Sequence, residues 1–309
     1  MNIYRVEVKF LSSLRDSISS YTIFGGICWA YRLLYSEDSL LKFLNRYIEN
    51  PSFIVSSILP KKEGKNFFPK PLLLSERSKV LDDYKKLKKL NFISEENFKK
   101  VLDGKIKTEQ DLVDELKNQK EPVDLYTKTL QPKTKIDRIF SSTEGDGELF
   151  YQEHYYYTDS FFYILFYNES LKNEVFSSLK LLQDCGIGGD RTSGGGKVLF
   201  SDPVSDDSLK KYIENKTDRF ITLSPFIVDT DIFYEDSFYE YYTFTGAVDN
   251  NYDFKLTNIW KDKLIYLKEG SNLKVKSRKD VYGEIRKIDL VKTVYQYGLA
   301  FPVYIQSGG

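Results

Sequence analysis

Six of the eleven residues at positions 186–196 are glycine, in the run GIGGDRTSGGG. No regular element runs through such a stretch. Each glycine inside a helix costs about 1 kcal/mol against alanine, and inside a strand it brings no side chain to pack. The flanks are regular. Positions 171–185 (LKNEVFSSLKLLQDC) carry apolar residues at helical spacing and end at Gly186, a residue that commonly terminates helices. KVLFS, from Lys197, reads as a short strand. Two residues suffice for a turn, so eleven ask for a further purpose.

Order excludes two nucleotide-binding motifs. Lys197 is followed by Val198, so there is no GxxxxGK[ST] phosphate loop. GIGG begins as GxG, but it follows a helix and leads into a strand, the reverse of a dinucleotide fingerprint. A flexible turn and a backbone cradle for a phosphate chain remain. In a cradle, Gly186, Gly188, Gly189, Gly194 and Gly196 let main-chain N–H groups approach phosphates closely. Arg191 adds a bidentate fork, Thr192 and Ser193 add hydroxyls, and Lys197 adds a point charge.

Around the loop, the chain alternates types. IYRVEVKF (3–10) alternates apolar and charged residues as a half-buried strand. Positions 20–35 form a helix that Ser20 or Thr22 could cap. The pair Gly25–Gly26 lies in its first turns, for close helix–sheet packing or for a ligand near the helix start. A second helix (37–50), stopped by Pro51, and a strand (53–59) follow, then the extended NFFPKPLLL. Two helical stretches are expected at 79–104 and 108–120, with KKLKK (85–89) a solvated face. Next come a basic segment with Lys133, Lys135 and Arg138, a polar turn at 141–148, and strands at 149–157 and 160–167. This order fits a βαββαβ ferredoxin-like unit with a large insertion. SDPVSDDS (201–208) marks a boundary, and strands are expected beyond it at 219–228, 239–248, 264–267, 281–292 and 297–305.

Composition narrows function mainly by exclusion. Lys+Arg and Asp+Glu are equal at 45 each, so a nucleic-acid partner must be met by a local patch. The 24 Tyr and 22 Phe reflect base composition first and base stacking only where position supports it. Cys28 and Cys185 are too few and too far apart for a zinc site or a disulfide scaffold. With no leader and no apolar run near 18 residues, a cytoplasmic protein without membrane contact is expected; the closing QSGG reads as a frayed tail.

GxGGxRxxGxG between the last helix and last strand of a ferredoxin-like unit resembles the repeat-associated (RAMP) proteins of CRISPR–Cas systems. The opening strand with YTIFG, the FPKPL segment, IDR before ELFYQEHYYY, and VYQYGLAFPV extend the resemblance from Tyr21 to Val303. Together they resemble the Cas-five-like group, the fourth Csm subunit family of type III-A effector complexes. That resemblance implies an α+β protein of two ferredoxin-like (RRM-like) units. The first, 1–205, would hold a helical insertion (about 60–130) and a thumb-like hairpin (about 132–150); the second would span 206–309.

It further implies a non-catalytic subunit that caps the 5′ repeat-derived tag of the CRISPR RNA (crRNA). Its partners would be the large Cas-ten-type subunit, the backbone RAMP subunit, and target RNA near the tag–guide junction; no cofactor or metal is implied. The loop with Arg191 and Lys197 would hold tag phosphates, and 132–148 would displace a nucleotide at that junction. RNA contacts are expected from Thr22, Gly25, Lys133, Lys135, Arg138, His154, Gly186, Gly188, Gly189, Arg191, Ser193, Gly194, Gly196 and Lys197. One departure is Gly195, where the family often has a bulky or basic residue.

Relatives in other CRISPR types cut precursor RNA without metal, so metal-independent endoribonuclease activity is the alternative. Its general base would be the lone histidine, His154 in YQEHYYY, although base stacking or a structural hydrogen bond suits it better. Carboxylate groups for metal, at Asp229/Asp231 and Glu144/Asp146/Glu148, read as solvated surface. A pure protein scaffold is the third reading, suggested by six acids and no base over 229–249.

Overall fold

The computed structural model describes residues 1–75, 87–116, 123–134, 149–248, 260–289 and 293–306. The alternating opening segment forms β1 (Asn2–Phe10), with Val6 and Val8 buried. Helix α1 (Ser20–Tyr35) follows. Neither Ser20 nor Thr22 caps it: the N-cap is Ser19, which makes no side-chain cap bond. The Ser20 N–H is instead taken by Ser57 Oγ at 3.3 Å, from across the fold. In α2 (Glu37–Glu49), Ser36 caps the Ser39 N–H.

The run expected as one strand at 53–59 is split into β2 (Phe53–Val55) and β3 (Leu59–Lys62). At its polar middle the Ser56 N–H still donates to the Tyr163 carbonyl, but the Tyr163 N–H is taken by Ser56 Oγ, and the Ser57 N–H donates to the Leu223 carbonyl in the second half of the chain. After β4 (Lys65–Pro69), the stretch expected to be helical at 79–104 contains a strand, β5 (Phe92–Ser94). Ile93 pairs with Phe68 and is fully buried, so sheet pairing overrides local helix preference there. Helices α3 (Glu95–Leu102) and α4 (Glu109–Leu116) complete the insertion, which is therefore mixed and not simply helical. Within KKLKK, Leu87 is buried; positions 85 and 86 lie outside the described residues.

Strands β6 (Tyr126–Thr134) and β7 (Leu149–Tyr157) pair antiparallel over nine residues, from Tyr126 opposite Tyr157 to Thr134 opposite Leu149. This ribbon is longer than the expected hairpin, and its joining segment, 135–148, lies outside the described residues. Strand β8 (Ser160–Phe166) is buried throughout and leads to α5 (Lys172–Cys185), then β9 (Val198–Phe200) and β10 (Val204–Ser205). The sheet runs β10–β1–β8–β3–β4–β5, with β9 also on β1 and β2 also on β8. Taking β2/β3 as the second strand, β8 as the third and β9/β10 as the fourth, the order is fourth–first–third–second, all antiparallel. That is the strand order of a ferredoxin-like unit, and it places the glycine loop beside the β1–α1 connection.

The rest holds α6 (Lys210–Glu214), β11 (Arg219–Thr222), β12 (Phe226–Ile227), β13 (Ile232–Phe238), β14 (Tyr241–Phe244), β15 (Leu264–Leu267), β16 (Asn272–Val275), β17 (Gly283–Asp289), β18 (Thr293–Leu299) and β19 (Pro302–Tyr304). They form sheets β13–β16–β11–β19 and β12–β15–β14 and a ribbon β17–β18. Among the described residues this half has one five-residue helix, so it shows no complete second βαββαβ set. One buried cluster joins the halves: Val6, Phe24 and Tyr163 with Leu223, Tyr297 and Phe301. Phe24 stacks on Tyr297 at 4.5 Å, and the Val55 N–H donates to the Tyr297 hydroxyl at 3.1 Å. Each such buried ring contributes about 1.5–3 kcal/mol. No helix among the described residues is long and apolar enough to cross a membrane.

Candidate nucleic-acid interface

The glycine loop is a built structure. Gly186 ends α5 with φ +77°, and its N–H donates to the Leu182 carbonyl at 2.8 Å. The Ile187 N–H donates to the Gly196 carbonyl at 2.9 Å, closing the neck. Gly196 has φ +73°, and a Cβ there would lie 2.2 Å from the Ile187 carbonyl oxygen, so only glycine fits. The Ser193 and Gly195 N–H groups both donate to the Asp190 carbonyl at 3.0 Å, and the Gly196 N–H donates to Ser13 O at 3.1 Å. These donors are spent within the protein. The N–H groups of Gly188, Gly189 and Asp190 have no acceptor among the described residues, so the donors the loop leaves available lie at its front.

The β1–α1 connection is wedged between this loop and the ribbon. The Lys197 N–H donates to Ser12 Oγ at 2.8 Å, and Leu14 and Tyr155 exchange both backbone bonds at 2.9 and 2.8 Å. His154 sits behind that contact. It is 7% exposed, with Nδ1 at 2.9 Å from Ser13 Oγ. This burial removes His154 from any stacking face and corrects the expectation that it meets RNA: it fastens the ribbon to the connection. Its buried Nε2 has no partner among the described residues.

Asp190 joins loop and ribbon. It adopts φ +58°, and its Oδ2 accepts from Lys133 Nζ at 2.7 Å and Gln152 Nε2 at 3.2 Å, while Oδ1 faces Arg15 at 3.8 Å. The Lys133 bond is the largest influence holding the Asp190 carboxyl below the usual carboxylate range, against its partial burial. Lys133, expected to reach RNA, thus spends its charge inside the protein. Lys135 and Arg138 lie outside the described residues.

Behind the loop is a cleft of about 470 Å³. Thr22, Gly25 and Trp29, on one face of α1 at spacing i, i+3, i+7, line one wall with Gly186, Gly188 and Arg191; Phe244, Lys261 and Gln296 line the other. The Arg191 guanidinium lies 4.6 Å from the centre of the Trp29 ring, a cation–π contact between two residues that line the cleft. The two α1 glycines differ in surroundings, and the close packing at one of them is against a helix and not the sheet. A Cβ at Gly26 would lie 3.1 Å from Leu182 Cδ1, so Gly26 allows α1 and α5 to pack, whereas a Cβ at Gly25 would meet nothing within 4 Å and face the cleft. Ser193, Gly194 and Lys197 are exposed on the loop's outer side, and Gly189 packs on Arg15.

Sequence reading missed Arg15, Asp190, Trp29 and Lys261. Trp29 carried a usable signal, its helical spacing from Thr22 and Gly25. Lys261 carried none, because only the fold brings it opposite α1. The Asp229/Asp231 pair sits in a partly exposed turn whose carboxylates are engaged by protein donors. Asp229 Oδ1 and Oδ2 accept from the Asp231 and Gly283 N–H groups, both at 2.8 Å, and Asp231 pairs with Lys279. The second carboxylate candidate, Glu144/Asp146/Glu148, lies outside the described residues. Of the aromatic strand, Phe150, Tyr151 and Tyr156 are exposed. Tyr157 turns inward, and its hydroxyl accepts from the Ile18 N–H at 2.6 Å.

Comparison with known proteins gives a consistent picture. The family model of the RAMP superfamily matches residues 8–199, which contain β1, the ribbon and the whole glycine loop. No curated protein matches in sequence. Among solved structures, a chain in the crystal structure of the Csm3-Csm4 subcomplex of the type III-A CRISPR-Cas interference complex superposes with TM-score 0.63 at 20% identity, covering 99% of this chain and 100% of that one. A chain of the Csm1-Csm4 cassette in complex with pppApA gives TM-score 0.61 at 16% identity, covering 99% and 98%. A chain of the type III-B Cmr-beta complex bound to cognate target RNA gives 0.52 at 14%, covering 87% and 86%. At such identities the likeness is one of fold.

Proposed function

Because the chain belongs to the RAMP superfamily, with a family match over 62% of its length from residue 8 to residue 199, we propose that it is a non-catalytic RNA-binding subunit of a type III-A CRISPR effector complex. It caps the 5′ repeat-derived tag of the crRNA. The observation that carries this reading is the front of the glycine loop: three unspent N–H groups at Gly188, Gly189 and Asp190, followed in the chain by Arg191, which lines the cleft together with Gly188. Backbone donors and an arginine fork suit phosphates and carry no base preference of their own.

The ribbon β6–β7 is the base of the thumb, and the tag–guide junction and nearby target RNA lie against its exposed end at Leu149, Phe150 and Tyr151. Lys135 and Arg138, outside the described residues, are proposed to contact the same RNA. The two-unit organisation, 1–205 and 206–309 with a ferredoxin-like core in each, is part of this proposal; the strand order of the first unit supports it. So are the partners. The similar folds come from structures of Csm1-Csm4 and Csm3-Csm4 assemblies, and this chain is read as docking a large Cas-ten-type subunit and a backbone RAMP subunit in the cytoplasm. The endoribonuclease alternative gains nothing from the geometry, since its base would be the buried His154.

The test is Arg191→Ala in the assembled complex. Loss of a charge-assisted phosphate contact lowers retention of tag RNA about tenfold and flattens the salt dependence by roughly 0.7 in log–log slope; Arg191→Lys restores part of both. Unchanged retention in Arg191→Ala contradicts the assignment.

A further inference from the structure

The far wall of the cleft holds a cation that the loop does not explain. Lys261 Nζ donates to Gln296 Oε1 at 2.9 Å and approaches the Tyr295 carbonyl at 3.4 Å, both neutral acceptors. No carboxylate pairs with it among the described residues. The titratable group that acts on it is the Cys28 thiol on α1, itself pushed well up by burial and therefore neutral. The other charged or titratable groups lining the cleft are Tyr21, Arg32, Glu37, Arg191 and Tyr295; Arg32 and Glu37 pair with each other at 3.5 Å. Burial pushes the Lys261 ammonium down to about 8. A half-buried cation with no carboxylate partner among the described residues is costly, and clefts that keep one are commonly places where an anion binds.

We infer that Lys261 supplies the counter-charge for one phosphate of the bound ligand, so that the ligand spans the cleft from the glycine loop to the C-terminal half. The identity of that ligand as RNA rests on the function proposed above; the anion site itself does not. Two consequences follow. Affinity for the anion falls as pH rises through 8, because the free protein must then take up a proton to bind, by at most about tenfold per pH unit. Lys261 is also unusually reactive toward amine reagents near pH 8 while the site is empty.

Reductive dimethylation of the full-length protein, followed residue by residue by mass spectrometry, reads the site directly. It is run alone, with AMP, and with tag RNA. The expected result is rapid labelling of Lys261 that AMP and tag RNA both suppress, with exposed Lys62 and Lys180 unaffected by AMP. Binding of tag RNA by Lys261→Gln should be about tenfold weaker at pH 7 and flat between pH 7 and 9, and Lys261→Arg should restore affinity without the pH dependence. RNA that binds while Lys261 labels at its free rate overturns the inference and leaves the RNA reading intact. AMP protection without RNA binding keeps the anion site and removes RNA as its ligand. Labelling unchanged by either probe overturns the inference.

Discussion

Replacing Gly196 by alanine tests whether the loop is closed as described. At φ +73° a side chain costs about 1–2 kcal/mol from backbone sterics alone. The added Cβ would also stand 2.2 Å from the Ile187 carbonyl oxygen, far inside contact distance. To relieve it the neck must open, which disturbs the Ile187-to-Gly196 and Gly196-to-Ser13 bonds at 2.9 and 3.1 Å. Leaving one of those groups unpaired costs a further 1–3 kcal/mol or so. The sum is about 2–5 kcal/mol. Gly194→Ala is the control: its φ is +90°, but nothing lies within 4 Å of the new Cβ, so it carries only the backbone cost. Urea unfolding of the three proteins, read from midpoints at a common slope, measures the difference. Gly196→Ala should lie at least about 1 kcal/mol below Gly194→Ala. Equal midpoints would refute the closed neck, and with it the claim that the donors of Gly188, Gly189 and Asp190 are held in place.

Gly25→Ala should raise stability by up to about 1 kcal/mol, since it improves helix propensity where there is space; the same methyl enters the cleft and should weaken tag RNA binding, and a gain in both stability and binding would separate Gly25 from the site. The Asp190 carboxyl is held below its ordinary range chiefly by Lys133, so its contribution to stability is complete above the unfolded value near 3.9 and is lost as pH falls through the lower folded value. Acid titration of stability should therefore fall more steeply for the wild type than for Asp190→Asn below about pH 4, and parallel curves would contradict the Lys133–Asp190 link.

Local signals made the first unit legible. The alternation of β1, the helical spacing of α1 and α5, and the glycine run each announce one element, and their order gives the strand order. The insertion was not legible because β5 exists only through its pairing with β4, in a stretch whose lysines favour helix. β13 escaped notice because it lies in the acidic stretch, where Glu235 and Asp236 obscure the alternation, and β16 because only Leu273 and Val275 of its four residues are apolar. The loop's residues were found, but their roles needed distances. Which N–H groups remain available, that Lys133 is spent on Asp190, and that His154 is buried are facts of partners far apart in the chain. Gly25 and Gly26 illustrate the same limit: adjacent and identical in sequence, they face an open cleft and a packed leucine.

The central claim is that this chain holds the crRNA tag and leaves it whole. A gel-shift titration at two salt concentrations, with RNA carrying the native 5′ tag and with a scrambled-tag control, tests it most directly when half of each reaction goes on a denaturing gel. The account predicts a salt-dependent shift that favours the native tag, with RNA of unchanged length. Cleavage products from the pure protein, or equal indifference to both RNAs in the assembled complex, would contradict it.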